Sequence, residues 1–281
     1  MSTDVEATSH DGSTLVFLKL GGSLITDKTR PETARADVLR RLAHEIHAAM
    51  DAAPDLSLVL GHGSGSFGHV AARRYGTRNS VRDEVGWLGF AEVADAAARL
   101  NRLVVERFLQ ANLPVWSVQP SAGAWCDDGQ IVAWPTHVLS MALERGLIPL
   151  VYGDTVLDKI RGGTIASTEE VFAWLVPRLR PERIVLAGTV DGVFSSDPIL
   201  DANARQWAEI NPASLPRLRT HLGGSHGVDV TGGMLSKVEE MCHLVSDHPG
   251  LEVRLVSGLR PGAVRAALLA EEGSGGTLIR S

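Results

Sequence analysis

Short runs rich in valine, leucine and isoleucine alternate along this chain with longer segments whose apolar residues recur at helical spacing. This order is typical of βαβ units, in which parallel strands form a sheet and the connecting helices cover its faces. We predict strands at 15–20, 56–60, 114–118, 147–152, 183–187 and 251–256, and helices at 36–50, 84–111, 135–145, 168–179, 233–246 and 261–270. The expected fold is α/β, a three-layer αβα sandwich around a mainly parallel sheet.

Two further segments are predicted to form β-hairpins. The segment "WCDDGQIVAW", residues 125–134, has an Asp-Gly pair between apolar residues, and "VLDKIRGGTIAS", residues 156–167, has a similar pattern. Asp-Gly pairs favour tight turns because both residues tolerate positive φ. We expect these inserted hairpins to form a lid or a pocket wall.

The composition argues against several classes of protein. The 281 residues carry a formal net charge of −6, whereas general nucleic-acid binders present a basic surface. The cysteines, Cys126 and Cys242, lack the spacing of a metal site or a CxxC pair, so we expect neither a disulfide framework nor zinc. This cysteine content fits a reducing cytoplasm, and we expect no nucleic-acid or membrane partner.

The chain is expected to form one domain. Its first residues, "MSTDVEATSHDGST", lack the basic start and apolar core of a signal peptide, and no apolar run is long enough to span a bilayer. We therefore predict a polar, flexible tail at 1–13 and a single domain at 14–281.

Three glycine-containing loops follow predicted strands, where open parallel sheets bind ligands. In the first, "KLGGSLITDK", Lys19 ends the strand, Gly21 and Gly22 free the backbone, and Ser23 is placed to cap a short helix. Lys19 and Lys28 bracket the turn and could hold phosphate oxygens as point charges. A plain strand turn with solvated lysines fits this segment equally well.

The second loop, "GHGSGSFGH", is the most unusual of the three. Gly63, Gly65 and Gly68 permit close approach of the backbone to an anion, and Ser66 is placed to cap the following helix. His69 would then lie in the first helical turn and could donate a hydrogen bond to a phosphate. Taken alone, this histidine is better explained as a surface residue without a role than as a phosphate-binding residue.

The third loop, "DVTGGMLSKVEE", opens a helix. Thr231, Gly232 and Gly233 would bring the backbone near a nucleotide, and Lys237, a turn later, would reach its phosphates. Threonine before two glycines is also a common helix start, so this segment alone decides little.

A fourth segment, "LAGTVDGVFSSDP", turns at Asp191 and Gly192 after a predicted strand.

Neither GxGxxG nor GxxxxGK[ST] is present, which disfavours Rossmann dehydrogenases and P-loop enzymes. The sequence offers phosphate-binding loops and lysines without an evident nucleophile or base. Chemistry that needs mainly positioning and charge stabilisation is phosphoryl transfer.

The motifs "KLGGSLITDK", "HGSGSFGH", "VYGD", "VDGVFSSDP" and "DVTGGMLSK", in this order, resemble those of the amino acid kinase superfamily. Within it they most resemble the isopentenyl phosphate kinase family. The likeness runs from about Phe17 to the strand-like "GTLIR", and "GSFGH" together with "ITDK" is its most specific part. The histidine that ends "GSFGH" marks the branch that phosphorylates a phosphate.

The resemblance implies a site for two phosphate compounds. The nucleotide-binding residues that it implies are Lys19, Gly21, Gly22, Ser23, Gly65, Asp191, Gly192, Gly233 and Lys237. The residues implied for the acceptor are Ser64, Gly65, His69, Gly153 and Asp154. The implied catalytic residues are Lys19, Lys28 and His69, with His69 gripping the acceptor phosphate. No residue is assigned as a metal ligand.

The resemblance also implies the reaction, a step of isoprenoid precursor synthesis. ATP with Mg²⁺ would phosphorylate isopentenyl phosphate by direct in-line transfer, giving isopentenyl diphosphate, with dimethylallyl phosphate as an alternative acceptor. The acceptor-binding part would span about 14–180 and the ATP-binding part about 181–281. The family commonly forms homodimers in the cytoplasm, and the same is expected here.

Two departures from the family pattern bear on this expectation. The family loop reads HGGGSFGH, whereas Ser64 replaces its middle glycine here, at a cost of about 1 kcal/mol if that position needs positive φ. Where the family has Ser-Gly-Asp before a helix, this chain has Ser167, Thr168, Glu169 and Glu170. Glu169 would stand in for the aspartate.

The apolar tail of an acceptor would need a chamber. Leu88, Val93 and Ala97 recur at near-helical spacing in "EVGWLGFAEVADAAARLN" and could line one, although packing on the sheet explains most such residues better. Gly86 and Gly89 indicate close approach of another group, such as the ligand.

Two other functions stay open. A related small-anion kinase, acting on fosfomycin or a nucleoside monophosphate, would keep these loops and differ in the acceptor pocket. A noncatalytic nucleotide-binding module would lose its lysines, whereas Lys19, Lys28 and Lys237 are present.

Overall fold

A computed structural model of the chain describes residues 12–196, 198, 200–201, 203–222 and 233–281, with residues 69, 70 and 220–222 described by their backbone alone. The predicted tail at 1–13 lies almost entirely outside the described residues, as do Thr231 and Gly232. No helix within the described ranges is both long enough and apolar enough to cross a membrane.

Strands and helices alternate along the described chain. The strands are β1 Thr14–Leu20, β2 Leu56–His62, β3 Val115–Ser117, β4 Trp125–Asp127, β5 Gln130–Ala133, β6 Ile148–Tyr152, β7 Asp154–Asp158, β8 Gly162–Ala166, β9 Arg183–Gly188, β10 Val193–Phe194, β11 Gln206–Trp207, β12 Glu209–Ile210, β13 Glu252–Ser257 and β14 Thr277–Ile279. The α-helices are α1 Gly22–Ile25, α2 Ala36–Ala52, α3 Gly65–Tyr75, α4 Glu84–Gln110, α5 His137–Leu143, α6 Thr168–Leu179, α7 Leu215–Leu222, α8 Gly233–Asp247 and α9 Ala263–Leu268.

A large sheet forms the centre of the molecule. Within the described residues its strand order is β12-β14-β13-β9-β1-β2-β6-β3, and neighbouring strands are parallel except β13 and β14. β1 lies between β2 and β9, where Leu18 is in register with Leu60 and Val185. Parallel strands in this position are covered on both faces, which explains the nearly continuous apolar sequence of β1.

The two faces of the sheet pack against different helices. Phe17 of β1 contacts one apolar cluster, to which α5, α6, α7 and α8 contribute, and its ring lies 5.0 Å from that of Phe172. Leu18, the next residue, points to the opposite face and joins Leu39 of α2 and Leu100 of α4. Successive side chains of a strand alternate between faces. The chain therefore forms the predicted three layers of helices, sheet and helices.

The two predicted hairpins pair with each other. β4–β5 and β7–β8 form a second sheet in the order β5-β4-β7-β8. Asp128 and Gly129 form the first turn, with φ of 48° and 84°. Asp158 fastens both turns, since its carboxylate accepts hydrogen bonds from the backbone N–H groups of Gly129, Ile160 and Arg161, at 2.6, 2.8 and 2.7 Å.

The sequence pattern predicts the regular elements correctly. All six predicted strands and six predicted helices are present, with ends shifted by at most two residues. The elements without a prediction are α7 and the two-residue strands β10, β11 and β12. Two residues are too few to show a periodicity of any kind.

We expect Asp158→Ala to destabilise the fold. Loss of three charge-assisted hydrogen bonds should lower the free energy of unfolding at pH 7 by about 1–3 kcal/mol. These hydrogen bonds lower the pKa of Asp158 against the opposing effect of burial. A carboxylate with a lowered pKa stabilises the fold above its unfolded pKa, and this contribution disappears as the pH falls through the folded value.

Urea unfolding of both chains from pH 7 downward measures this difference. Asp127→Ala is the matched control, because the Asp127 carboxylate lies in the same hairpin and pairs with exposed Lys159 at 3.7 Å. Equal stability of Asp158→Ala and the control at pH 7 would contradict the expectation.

Candidate active site

A cavity of about 540 Å³ opens where the central parallel strands end. Its wall includes Lys19 at the end of β1, Gly63 after β2, Gly153 after β6, Ala187 at the end of β9 and Val256 at the end of β13. Because these strands are parallel, their carboxyl ends lie at one edge of the sheet, as in other α/β proteins that bind ligands there.

The first glycine loop is held between two neighbouring strands. The N–H of Gly21 donates to the carbonyl of Ala187 at 2.8 Å, and α1 begins at the next residue. The N-cap position is Gly21, without a side-chain hydrogen bond, so the prediction that Ser23 caps this helix is wrong. Ser23 instead lies within α1 and lines the cavity.

The two glycine loops contact each other backbone to backbone. A Cβ atom on Gly22 would overlap the backbone of Gly65, and one on Gly63 would lie 3.0 Å from the nitrogen of Gly22. Gly65 also has φ of +50°, which favours glycine. The glycines predicted for anion binding thus have a second physical reason to be glycine, namely the close approach of two loops.

The helix after the second loop, α3, starts two residues earlier than predicted. Ser64 is the N-cap residue, and Ser66 lies inside the helix, where its N–H donates to Oγ1 of Thr26 at 2.9 Å. The prediction that Ser66 caps the helix is therefore wrong. Ser64 has φ of −73°, so replacing the family's glycine causes no backbone strain, and its side chain fits above Gly68.

Lys19 and Glu169 form a buried ion pair in the cavity wall. The two residues are only 9% and 5% exposed. Burial alone would raise the pKa of Glu169, but the charges of Lys19 and Lys237 hold it below its usual value. The Glu169 carboxylate is thus ionised and influenced by two ammonium groups that both line the cavity.

Glu240 on α8 faces the same cavity in a different electrostatic environment. Burial, followed by the nearby carboxylates of Glu169 and Glu170, raises the pKa of Glu240 to about 7. Near neutral pH both the protonated and the ionised form of this carboxyl group are therefore populated. One wall of the cavity carries an ionised carboxylate, and another carries a carboxyl group that titrates near neutral pH.

The start of α6 forms a third side of the cavity. Ser167 accepts a hydrogen bond from the N–H of Glu170 at 3.1 Å, and Glu170 accepts one from the N–H of Ser167 at 2.6 Å. Glu170 also accepts two hydrogen bonds from Arg78, at 2.8 and 2.7 Å, and Thr168 Oγ1 donates to the carbonyl of His62 at 2.7 Å. Where the family has Ser-Gly-Asp, Ser167 and Glu170 of this chain thus form a helix capping box, and the Glu170 carboxylate also pairs with Arg78.

Most of the residues predicted for the site line this one cavity. They are Lys19, Gly21, Gly22, Ser23, Lys28, Ser64, Gly65, Gly153, Gly192 and Lys237. Lys28 is exposed at the rim. Gly233 does not line the cavity, although it begins α8 and the next residue, Met234, does. His69 lies in α3, but its side chain is outside the described part of the structure.

Two predicted aspartates do not line the cavity. The Asp154 carboxylate is buried and accepts hydrogen bonds from the N–H groups of Ser121 and Thr155, at 3.1 and 2.8 Å. Burial raises its pKa. The Asp191 carboxylate accepts a hydrogen bond from the N–H of Ser257 at 3.0 Å and pairs with Arg260 at 3.5 Å. Their binding roles stay predictions that this placement does not favour.

Apolar side chains from α3, α4 and β8 line a part of the cavity, here called its apolar end. Ala72, Val93, Ala97 and Ile165 line it, as the sequence predicts for Val93 and Ala97. The third predicted residue, Leu88, is 60% exposed, so its assignment to a chamber is wrong.

The predicted close approach at Gly89 is made by the protein itself. A Cβ atom there would overlap the ring of Tyr75, so this glycine allows α3 to pack against α4. Gly86 likewise faces Asp83 and Val81 rather than the cavity.

Sequence reasoning did not single out several polar residues of the cavity wall, among them Arg78 and Glu240. Glu240 could have been found, because it lies three residues after Lys237 on the same helix and therefore on the same face. Arg78 follows α3 outside any motif, and only the tertiary structure brings it to Glu170.

We expect Glu169→Gln to lower the pKa of Glu240. Removing the Glu169 charge removes one of the two carboxylates that oppose ionisation of Glu240. Carbon-13 NMR titration should give a pKa of about 7 for Glu240 in the unchanged chain and a lower one in the variant.

Glu239→Gln is the matched control for this titration. Glu239 precedes Glu240 on α8 and pairs with Arg219 at 2.6 Å. An unchanged Glu240 pKa in Glu169→Gln, or an equal shift in both variants, would contradict the electrostatic account of this wall.

Comparison with known proteins gives consistent results. The Amino acid kinase family matches residues 14–257. An isopentenyl phosphate kinase from Methanothermobacter thermautotrophicus is 36% identical over 265 residues, which cover 92% of this chain and 96% of that protein. An X-ray structure of an isopentenyl phosphate kinase superimposes with a TM-score of 0.79 at 33% identity, covering 94% of this chain and 99% of the other. A crystal structure of an isopentenyl phosphate kinase substrate complex gives 0.75 at 26% identity, covering 94% and 100%.

Proposed function

The chain belongs to the amino acid kinase family, and from this premise we propose that it phosphorylates isopentenyl phosphate with ATP, giving isopentenyl diphosphate. The observation that carries the proposal is the contact between the two glycine loops at one cavity. Two anions bound at two loops in backbone contact lie close enough for direct transfer. Similarity over nearly the whole chain to isopentenyl phosphate kinases supports the choice of acceptor.

The nucleotide is assigned to the loop Gly21–Ser23 and to Lys237. We propose that Lys19 and Lys237 bind phosphate oxygens, while Glu169 holds the Lys19 ammonium group inside the cavity. An opposite charge offsets part of the cost of burying an ammonium group, so this ion pair favours a buried cation where a phosphate would bind. The assignment of acceptor binding to residues of about 14–180, and of ATP binding to residues of about 181–281, is part of this proposal.

The acceptor phosphate is assigned to the loop of Ser64 and Gly65, to Gly153, and to His69 in α3. An isopentenyl phosphate already carries an anionic oxygen at neutral pH, since the second pKa of a phosphate monoester is about 6. The reaction therefore needs no protein base. Its main barrier is repulsion between two phosphate groups, which cations must offset.

Mg²⁺ is proposed to enter bound to ATP. Within the described residues no group of three or more His, Cys, Asp or Glu side chains could hold a metal ion. When bound, the ion would neutralise charge on the β- and γ-phosphates. The lysines of the cavity supply the remaining positive charge.

We also propose that the enzyme is a cytoplasmic homodimer. Cys126 and Cys242 are free and buried, as expected of a chain kept under reducing conditions. Sedimentation velocity would test the dimer: a single species of monomer mass at micromolar concentration would contradict it.

The acceptor assay tests the proposed function. Consumption of ATP with Mg²⁺ is compared for isopentenyl phosphate, dimethylallyl phosphate, fosfomycin and UMP, and phosphorus NMR identifies the products. We expect the highest kcat/KM and new diphosphate signals with isopentenyl phosphate. Turnover restricted to fosfomycin or UMP would contradict the acceptor assignment, and ATP binding without turnover would indicate a noncatalytic module.

Lys28→Ala should lower kcat by roughly a hundredfold or more, because a cation aimed at developing charge contributes to the transition state rather than to binding. The KM for ATP should change much less. Steady-state kinetics with both substrates varied measures this division. Lys159→Ala is the control, since Lys159 is also an exposed lysine, but on the β7–β8 turn. Equal kcat in both variants would remove Lys28 from the mechanism.

Ala97→Leu should obstruct the apolar end of the cavity. The added carbons fill space next to Val93 and Ile165, so kcat/KM for isopentenyl phosphate should fall by roughly tenfold or more. The KM for ATP should stay the same. Ala91→Leu makes the same change on the exposed side of α4 and is the control. Equal effects of the two variants would refute the assignment of the acceptor tail to this end.

A further inference from the structure

His62 is the residue that joins the second glycine loop to the core. It is the last residue of β2, directly before Gly63, and has no exposed surface. It does not line the cavity, whereas the next three residues all do. A buried polar ring immediately behind a ligand-binding loop is costly unless its nitrogens have partners.

Both ring nitrogens have partners. Nδ1 lies 3.2 Å from the carbonyl oxygen of Gly63, and Nε2 lies 3.2 Å from Oδ1 of Asn101 on α4. Nδ2 of the same Asn101 side chain donates to Oγ of Ser117 on β3 at 2.6 Å. The ring stacks on Tyr152 of β6, with centroids 5.3 Å apart and planes at 8°.

The ring is neutral at physiological pH. Burial is the largest cause that lowers the pKa of His62, which falls to about 4. A neutral imidazole has one N–H, and a carbonyl oxygen can only accept. Both neighbouring oxygens, that of Gly63 and Oδ1 of Asn101, accept, so the single N–H satisfies one of them. We assign this N–H to Nδ1, which then donates to Gly63. Nε2 is an acceptor in this tautomer, and it requires the Asn101 amide turned by half a rotation, with its NH₂ group toward the ring and its oxygen toward the Ser117 hydroxyl.

The backbone of His62, like its ring, has hydrogen-bond partners on other elements. Its carbonyl oxygen accepts hydrogen bonds from Oγ1 of Thr168 at 2.7 Å and from the N–H of Gly153 at 3.2 Å. Thr168 and Gly153 both line the cavity. One buried residue thus connects the second glycine loop with the start of α6 and the end of β6.

The hydrogen bond to Gly63 determines how the loop presents its amides. In a trans peptide the C=O and the following N–H point in opposite directions. Holding the Gly63 carbonyl against the buried ring therefore turns the N–H of Ser64 away from the core. Glycine has no side chain to restrict its own peptide plane, so this orientation needs an external partner.

We propose that His62 is a positioning residue: through its ring contact with the Gly63 carbonyl, it orients the backbone amides of Ser64 and Gly65 for an acceptor phosphate. His62 itself does not touch the substrate. This inference rests on the proposed function for the identity of the anion. It assigns to the first histidine of "HGSGSFGH" a task distinct from that of His69.

Three substitutions separate the ring contacts. Asparagine places its amide nitrogen where Nδ1 lies, so His62→Asn keeps a donor for Gly63. Glutamine places its amide where Nε2 lies, so His62→Gln keeps the contact with Asn101 and loses the one with Gly63. His62→Phe keeps the stacked ring and loses both. His44→Gln, at an exposed histidine of α2, is the control.

We expect the variants to differ in kcat with isopentenyl phosphate. His62→Gln and His62→Phe should lose roughly ten- to a hundredfold, because small misplacement of binding groups costs this much. His62→Asn should recover most of the rate. KM for ATP should stay within about threefold in all of them, since the nucleotide contacts the other loop. Circular dichroism melting establishes which variants are folded.

Amide chemical shifts provide a readout that does not depend on turnover. In ¹⁵N–¹H spectra the Ser64 and Gly65 resonances should move in His62→Gln and stay near their original positions in His62→Asn. If the unchanged chain does not phosphorylate isopentenyl phosphate, the proposed function fails, and the amide shifts still decide the role of His62. Equal kcat and equal shifts in the Asn and Gln variants would overturn the proposal, even if His62→Phe does not fold.

Discussion

The contact between two glycine loops is the constraint on which the rest of the site depends. Gly22 and Gly65 approach so closely that a Cβ atom on Gly22 would enter the other backbone. This approach is possible because β1 and β2 are adjacent parallel strands that end at the same level, with Leu20 paired to His62. The cavity, its lysines and the start of α6 are all arranged around this junction.

The ionisation of the carboxyl groups in the cavity wall depends on their burial and on the charges near them. Glu169 is ionised and pairs with Lys19, whereas burial and the nearby carboxylates of Glu169 and Glu170 raise the pKa of Glu240 to about 7. A substrate phosphate would add negative charge close to Glu240 and so favour its protonated form. The cavity thus combines fixed positive charge with a carboxyl group that can become neutral, which suits the binding of two anions.

Periodicity predicts this fold well because parallel strands and amphipathic helices leave distinct patterns, as in β1 and α4. Loop chemistry predicts the two glycine loops and the cavity lysines Lys19, Lys28 and Lys237. Hydrogen-bond partners are harder to predict. The sequence predicts Ser66 as a helix cap, whereas in the structure its N–H donates to Oγ1 of Thr26, forty residues away. Arg78 and Glu170 likewise meet only after α3 and α6 have packed. Such pairs depend on tertiary geometry that no local pattern records.

The central claim is that one cavity brings the two phosphates together, so that transfer is direct and no residue of the protein carries the phosphoryl group. The stereochemistry at phosphorus tests this most directly. ATP made chiral at the γ-phosphorus with oxygen isotopes is used to phosphorylate isopentenyl phosphate, and the configuration of the product is determined. Direct in-line transfer predicts inversion. Retention would require two successive transfers through a phosphorylated residue and would contradict the account.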